Sequence, residues 1–444
     1  MKKFFCFSFT FLSFSFFSLA ENLPTSGTLL WRVSGNGLKE ISYLYGTMHT
    51  RDTRAFHFSD SVLNCFMRCK SFAMELKMEE LNNQEVIGKM MLDSGATIGN
   101  ILSKEQYDSL QKKTQEITGF SISLFERLKP IFIATILSQG ELLNDSVGKN
   151  PNQYFLDEYF EVLARHSGKN VSALEMVQTQ LDVFNFLPIA QQVDYLMKSI
   201  RGENGGSGID TFISHYANGE LEILLKSDED DLLSGEFLSK ILTERNEGMA
   251  NHIESLMRSQ SLFAAFGAAH LTGDSGIISL LRKKGYTVEP VTPTYDDISS
   301  EGWLYVFPCS VIAVAMPGLP VLITDTLFGE NINYTKWFSK MNNAYSVIHF
   351  TKNIAVTKSL LTRLSINEID FSTRLKKIEG DFPNRKNIRA YKMSATSDSE
   401  NLFVIENGSE KIIVIVTNEN SIDDTEMKRF LSLVRYKIAS PLSY

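Results

Sequence analysis

The chain has 444 residues, 43% hydrophobic and 22% charged, with a formal net charge of −8. That length predicts two or three domains, and the balance excludes a disordered, collagen-like or multi-span membrane chain. The acidic surplus, without any Lys/Arg cluster, argues against a nucleic-acid partner, whose phosphates would need neutralising.

Lys2 and Lys3 precede an uncharged Phe/Ser/Leu stretch, Phe4 to Leu19, and Ser18-Leu19-Ala20 has a small-x-small pattern. Together they predict a signal peptide over residues 1–20, cleaved after Ala20, and an exported product in the periplasm or secreted. The stretch is short for a membrane span, so no stable span is expected after removal. Cys6 would leave with the signal, and Cys65, Cys69 and Cys309 would remain. An odd count rules out a complete disulfide framework. Cys65 and Cys69 are four apart on a predicted helix, where a bridge would strain the backbone, so both read as buried thiols. No Cys-x-x-Cys pair exists, which removes the usual structural zinc site.

In chain order, Leu29–Val33 and Ile41–Tyr45 read as strands joined by the turn Ser34-Gly35-Asn36-Gly37, a hairpin signal. Ser59 or Asp60 can cap a helix to Arg68, and Ser71–Leu76 reads as an apolar strand carrying Glu75. A long helical region covers about Glu79 to Lys240. Within it Ser103 and Gln106 form a capping box, Pro130 starts an apolar helix, and Tyr154–Ser167 is amphipathic. Asn170–Glu175 reads as a short strand, Gln180–Ser199 as a helix, and the glycine-rich run Gly202–Gly208 as a loop. Ser239–Met257 is a helix, Leu262–Phe266 a strand, Gly276–Lys284 a helix and Tyr286–Val291 a strand. Prolines and Asp296-Asp297 mark a boundary near residue 298. This predicts a first domain over 21–298 and an accessory α+β domain over 299–444. In the latter Val311–Ala315, Val321–Thr326, Tyr345–Phe350, Asn401–Glu406 and Lys411–Val416 read as strands, and Ala355–Leu364 and Asp423–Val434 as helices. Its strands and its Met316-Pro317-Gly318 turn suggest a binding or assembly module.

One unit occurs twice in the first domain. Each copy is strand, Gly-x-x-His, loop, helix, strand, with Gly46-Thr47-Met48-His49 in the first and Gly267-Ala268-Ala269-His270 in the second. Such units imply parallel pairing with a right-handed crossover, and ligands in these sheets bind beyond the carboxyl ends of the strands. His49 and His270 both leave their strands at that end, so one sheet edge is expected to bring them together. Glycine there permits a close backbone approach. Imidazole is the commonest protein metal ligand. Glu75 and Glu175 each end a strand, where a carboxylate is costly unless paired or bound. Two histidines with one or two carboxylates suit a divalent first-row metal, which would polarise a carbonyl and acidify a bound water. His49, Glu75 and His270 are therefore the candidate metal ligands. Glu75 and Glu175 are candidate general bases, and Arg245 is a candidate anion holder beside Asn246. Arg245 fits a solvated helix position equally well. Gly273-Asp274-Ser275-Gly276 copies a serine-protease tetrapeptide but leads into a helix, so it reads as a cap.

Leu44-Tyr45-Gly46-Thr47-Met48-His49-Thr50, Met74-Glu75, Leu174-Glu175 with Gln180, Arg245-Asn246, Phe266 to Gly273 and Leu281 to Val288 together resemble the TraB/PrgY/GumN family, over about residues 25 to 295. That resemblance implies a central α/β sheet related to erythromycin-esterase-like (EreA) and ChaN-like proteins, with a large helical insertion. It implies metal-dependent hydrolysis of a peptide or protein substrate, with Mn2+ or Co2+ as the ion and Zn2+ or Fe2+ as alternatives. Carried over, His49, Glu75 and His270 become active-site or metal residues, and Glu175 an additional member. Two other readings use the same residues. One is non-catalytic capture of peptide, haem or iron; the other is metal-independent ester hydrolysis with His49 as general base.

Overall fold

The computed structural model describes residues 27–77, 84–93, 95–147, 154–202, 209–221 and 243–294, and strand segments between 303 and 436. The predicted signal peptide, residues 203–208 of the predicted loop, the boundary near 298, Ala355–Leu364 and residues 423–433 of the last predicted helix lie outside the described residues. The chain divides into two compact units, Met1–Thr294 and Tyr295–Tyr444.

The first unit is a mixed α/β fold on a six-stranded sheet. Its strands are β1 (Leu30–Ser34), β2 (Ser42–Thr47), β3 (Ser71–Met74), β4 (Asn170–Ala173), β5 (Leu262–Gly267) and β6 (Thr287–Pro290), in the order β4-β3-β5-β2-β1-β6. The hairpin forms as expected. β1 and β2 pair antiparallel, and Gly35, Asn36 and Gly37 all take positive φ in the turn between them. β4, β3, β5 and β2 pair parallel in sequence-distant order. The expected pairing within each repeated unit is corrected here. β5 lies between β2 and β3, while β2 and β1 lie between β5 and β6. Each unit does run its two strands in the same direction, but neither pairs them. The central strands are the most apolar and are buried on both faces, so β5, with its Leu262 to Phe266 run, takes the middle.

Between β2 and β3 lies α1 (Asp60–Arg68). Between β3 and β4 come α2 (Gln84–Met90), α3 (Ile98–Ile101), α4 (Lys104–Thr118), α5 (Pro130–Val147) and α6 (Leu156–His166). Then follow α7 (Val177–Phe186), α8 (Ile189–Arg201) and α9 (Ile209–Ala217), and, before and after β5, α10 (Arg245–Ser259) and α11 (Ile277–Lys283). The Ser103–Gln106 capping box is formed, and Pro130 starts α5. The helix expected over Gln180–Ser199 is two helices, because Pro188 lacks an N–H and α8 starts from it. α1 and α6 cover the sheet through Phe66 and Phe160, whose rings meet Phe263 of β5 at 5.3 and 5.7 Å. The helical insertion has its own core, with Leu110, Ile117, Ile133, Leu137 and Leu196 buried together. A second cluster joins Leu76, Val177 and Leu181 at its junction with the sheet. Cys65 and Cys69 are both buried, as read. Among the described residues no helix is long and apolar enough to cross a membrane.

The second unit contains antiparallel strands. β7 (Trp303–Cys309), β8 (Ile312–Pro317) and β16 (Val434–Tyr436) form a three-stranded sheet. β9 (Val321–Leu327), β10 (Ile332–Lys340), β11 (Asn343–Phe350), β12 (Lys376–Lys377), β13 (Ile388–Ser394), β14 (Glu400–Asn407) and β15 (Glu410–Asn418) form a seven-stranded one. β7 and β8 lie against β10 and β11. β14 and β15 pair with Asn407 opposite Glu410, where Asn-Gly signals a hairpin.

Candidate functional site

Four neighbouring parallel strands deliver four of the expected residues to one edge. Thr47 of β2 is in register with Gly267 of β5, Ala265 of β5 with Met74 of β3, and Met74 with Ala173 of β4. His49, His270, Glu75 and Glu175 each follow directly beyond those positions, at the carboxyl ends. The Glu175 N–H donates to the Glu75 carbonyl at 3.1 Å, carrying the ladder one step past β3 and β4.

The two motif glycines are explained by contact and not by φ. A Cβ on Gly46 would stand 2.7 Å from Leu271 Cδ1 and 3.0 Å from Ala268 Cα, so the first motif abuts the second. A Cβ on Gly267 would stand 3.3 Å from Glu75 Oε2 and 3.5 Å from His270 Cδ2, inside the site. Tyr216 of α9 donates its hydroxyl to the Gly46 carbonyl at 2.8 Å and pins the first motif from above.

His270 is fully buried, and its Nδ1 lies 2.6 Å from Asn246 Oδ1. Asn246 Nδ2 donates to the Ser275 carbonyl at 2.8 Å, which assigns the amide oxygen to His270. Nδ1 therefore carries the proton and Nε2 the lone pair. The serine-protease-like tetrapeptide thus helps orient a histidine through its backbone, and Gly276 is the cap residue of α11. Burial, then the Arg245 guanidinium, pushes the His270 pKa down to about 3. His49 reaches the same tautomer by another route. Its Nδ1 meets Asp157 Oδ1 at 2.9 Å, and an ionised carboxylate can only accept. Its ring stacks on Phe155 at 3.9 Å with an 8° interplanar angle. Among the described residues, neither buried Nε2 atom has a hydrogen-bond partner.

Beside them lies a buried ionic cluster. Arg245 Nη2 donates to Glu75 Oε1 at 2.5 Å, and Arg245 Nε donates to both Glu175 oxygens at 3.0 Å. Nη2 also bonds Glu175 Oε1. The choice between a solvated and a buried Arg245 is settled as buried, 5% exposed. Burial works against its charge, but the two carboxylates outweigh that and raise its pKa. Gln180 Nε2 donates to Glu75 Oε1, and the Gly267 N–H to Glu75 Oε2, both at 3.1 Å. One cation against two anions leaves the cluster one negative charge in excess, which a cation nearby would offset.

Glu75 Oε1 is 3.9 Å from His270 Nε2, so these two expected ligands are brought together. Among the described residues, however, no three His, Cys, Asp or Glu side chains form a group able to hold a metal ion. Sequence reasoning missed Asp157 and Phe155. Both sit at the start of α6, which reads only as an amphipathic helix. Acidic residues in a first turn are common because they offset the helix dipole, so Asp157 carried no distinguishing signal.

The chain is a member of the TraB/PrgY/gumN family, whose sequence profile matches residues 29–290. It is similar to Metalloprotease TIKI2 of Danio rerio, 24% identical over 327 residues, or 62% of this chain and 62% of the relative. Metalloprotease TIKI1 of Danio rerio is 23% identical over 353 residues, covering 67% and 70%. The Metalloprotease TIKI homolog of Nematostella vectensis is 24% identical over 309 residues, covering 57% and 65%. The chain thus spans 62% of the length of the first of these relatives. No solved structure matches.

Proposed function

We propose that this protein is an exported metal-dependent hydrolase of the peptidase type, periplasmic or secreted, acting on a peptide or protein. Family membership and relatives named metalloproteases support the reading. The observation that carries it is the pair of buried Nε2 atoms without a partner among the described residues, both on residues that follow adjacent strands. Metal-bound histidines characteristically give their other ring N–H to a carboxylate or carbonyl, which is the situation of both Nδ1 atoms. Two imidazole lone pairs with a carboxylate are donors of the type a divalent ion takes, so His49 and His270 would be its holders, with Glu75, 3.9 Å from His270 Nε2, as the carboxylate beside them. Mn2+ or Co2+ is the ion the resemblance suggests, with Zn2+ or Fe2+ as alternatives. When bound, such an ion would polarise the substrate carbonyl and acidify a water.

The protein's own groups do the rest. Glu75 Oε1 is filled by Arg245 and Gln180, but among the described residues Oε2 accepts only the Gly267 N–H, which leaves a lone pair for a proton or an ion. Oε2 is thus the general-base atom. Glu175 holds Arg245, and Arg245 in turn holds Glu75 in place. By the same resemblance the sheet is of the EreA/ChaN-like kind; residues 299–444 lie outside it and are read as an accessory domain from their composition alone.

The commitment of Glu75 to three donors favours a second reading, capture of peptide, haem or iron without turnover, through the same histidines. Metal analysis of the full chain, with a peptide-library digest of wild type, His49→Ala and His270→Ala, separates them. The hydrolase reading expects a bound divalent ion and cleavage lost in both variants. Metal-free protein with full cleavage in both would overturn it, and tight binding without cleavage would favour capture. Chelator-resistant ester hydrolysis would point to His49 with Asp157 as a metal-free base.

A further inference from the structure

Arg51 lies two residues beyond His49, and no step described so far uses it. Its guanidinium carbon sits 4.5 Å from the centre of the Phe155 ring, the ring on which His49 stacks. Its Nε is buried without a hydrogen-bond acceptor among the described residues. A buried guanidinium N–H left unsatisfied is costly, and such groups in native proteins generally have a partner. The nearby carboxylates are otherwise engaged. Asp157 accepts from His49, and Glu158 Oε2 accepts from the Phe155 N–H at 3.4 Å, at the start of α6. The position is also held firmly, since the Leu156 N–H donates to the Thr50 carbonyl at 3.1 Å and fixes the His49–Arg51 segment against α6. The guanidinium is confined on Phe155 within reach of the Glu158 charge, and its Nε has no acceptor among the described residues.

We propose that Arg51 is a substrate-recognition residue that binds a carboxylate of the peptide, within a residue or so of the bond presented to His49. This rests on the peptidase reading for its substrate class. The guanidinium fork matches a carboxylate through two parallel N–H donors. Stacking on Phe155 pre-orients the fork, so little freedom is lost on binding. The carboxylate has two possible sources, a peptide C-terminus or an acidic side chain, and the same chemistry serves both.

The test reads binding and cleavage separately. Three probes are titrated against the full chain by ligand-observed NMR: acetyl-Ala-Ala-Ala as the free acid, its C-terminal amide, and acetyl-Ala-Glu-Ala amide. The proposal expects a carboxylate probe to bind about tenfold or more tightly than the amide, and Arg51→Met to abolish that preference while leaving the amide unchanged. Preference for the free acid identifies the C-terminus; preference for the Glu probe identifies the side chain. Equal binding of all three, or a preference that survives Arg51→Met, overturns the proposal. If Arg51→Met does not fold, Arg51→Lys decides: a severalfold loss confined to the carboxylate probe supports it, and an unchanged preference refutes it. Carboxylate preference without cleavage of any peptide would overturn the peptidase reading alone. Cleavage without the preference would overturn this proposal alone.

Discussion

His49 and His270 present the same atom to the same edge, yet they are held in different ways. His270 is supported locally, by Asn246 on the helix just before its own strand, a neutral amide in a fully buried setting. His49 is supported from a distance, by the charged carboxylate of Asp157, which arrives on the helical insertion 108 residues later. An amide orients an imidazole but does little for an imidazolium. A carboxylate orients the ring and also places a negative charge behind it. The contrast divides the labour. His270 is held by a neutral partner, and His49 by a charged one that adds negative charge beside a bound cation.

The comparison breaks most severely at Arg245, on the His270 side. Arg245→Met leaves Glu75 and Glu175 buried without their cation, and the expected loss is about 3–5 kcal/mol of unfolding free energy, measured by chemical denaturation. A loss under about 1 kcal/mol would show that the cluster is solvated. The contrast is sharpened by Asp157→Asn against Asn246→Ala. Each removes an orienting partner and should cost about 10–100-fold in metal affinity or activity. Only Asp157→Asn should also shift the pH–rate profile, because only it removes a charge. Identical profiles in both variants would erase the proposed division of labour.

The smallest effect is a pH dependence of stability. The His270 pKa is lowered from 6.5 to about 3, so between those values the unfolded chain binds a proton that the native protein does not. Stability should therefore be intact above about pH 6.5 and decline as pH falls toward 3. His270→Gln should flatten that segment of a pH series of thermal melts. An unchanged slope would show that His270 is charged in the native state.

Much of the site was legible because its signals are local. The exits at Gly46 and Gly267, the carboxylates Glu75 and Glu175 just past apolar strands, and the caps at Ser103 and Pro130 depend on residues a few positions apart. The hairpin of β1 and β2 was legible for the same reason. Strand order was not, because backbone pairing carries no residue code of its own: β5 enters between β2 and β3 by virtue of burial on both faces. Nor was the break at Pro188, inside an otherwise continuous helical pattern.

The sequence by itself determined which residues would stand at strand ends and what chemistry they carry. Period, punctuation and side-chain type are written into adjacent positions. Only the tertiary structure decided which of them meet. It joined Arg245 to Glu75 and Glu175 from 170 and 70 residues away, gave His49 the Asp157 carboxylate, and left the Arg51 Nε without an acceptor among the described residues. Those pairings are set by the packing of whole elements. An ionic group is forced to find a partner only once burial has taken its water away.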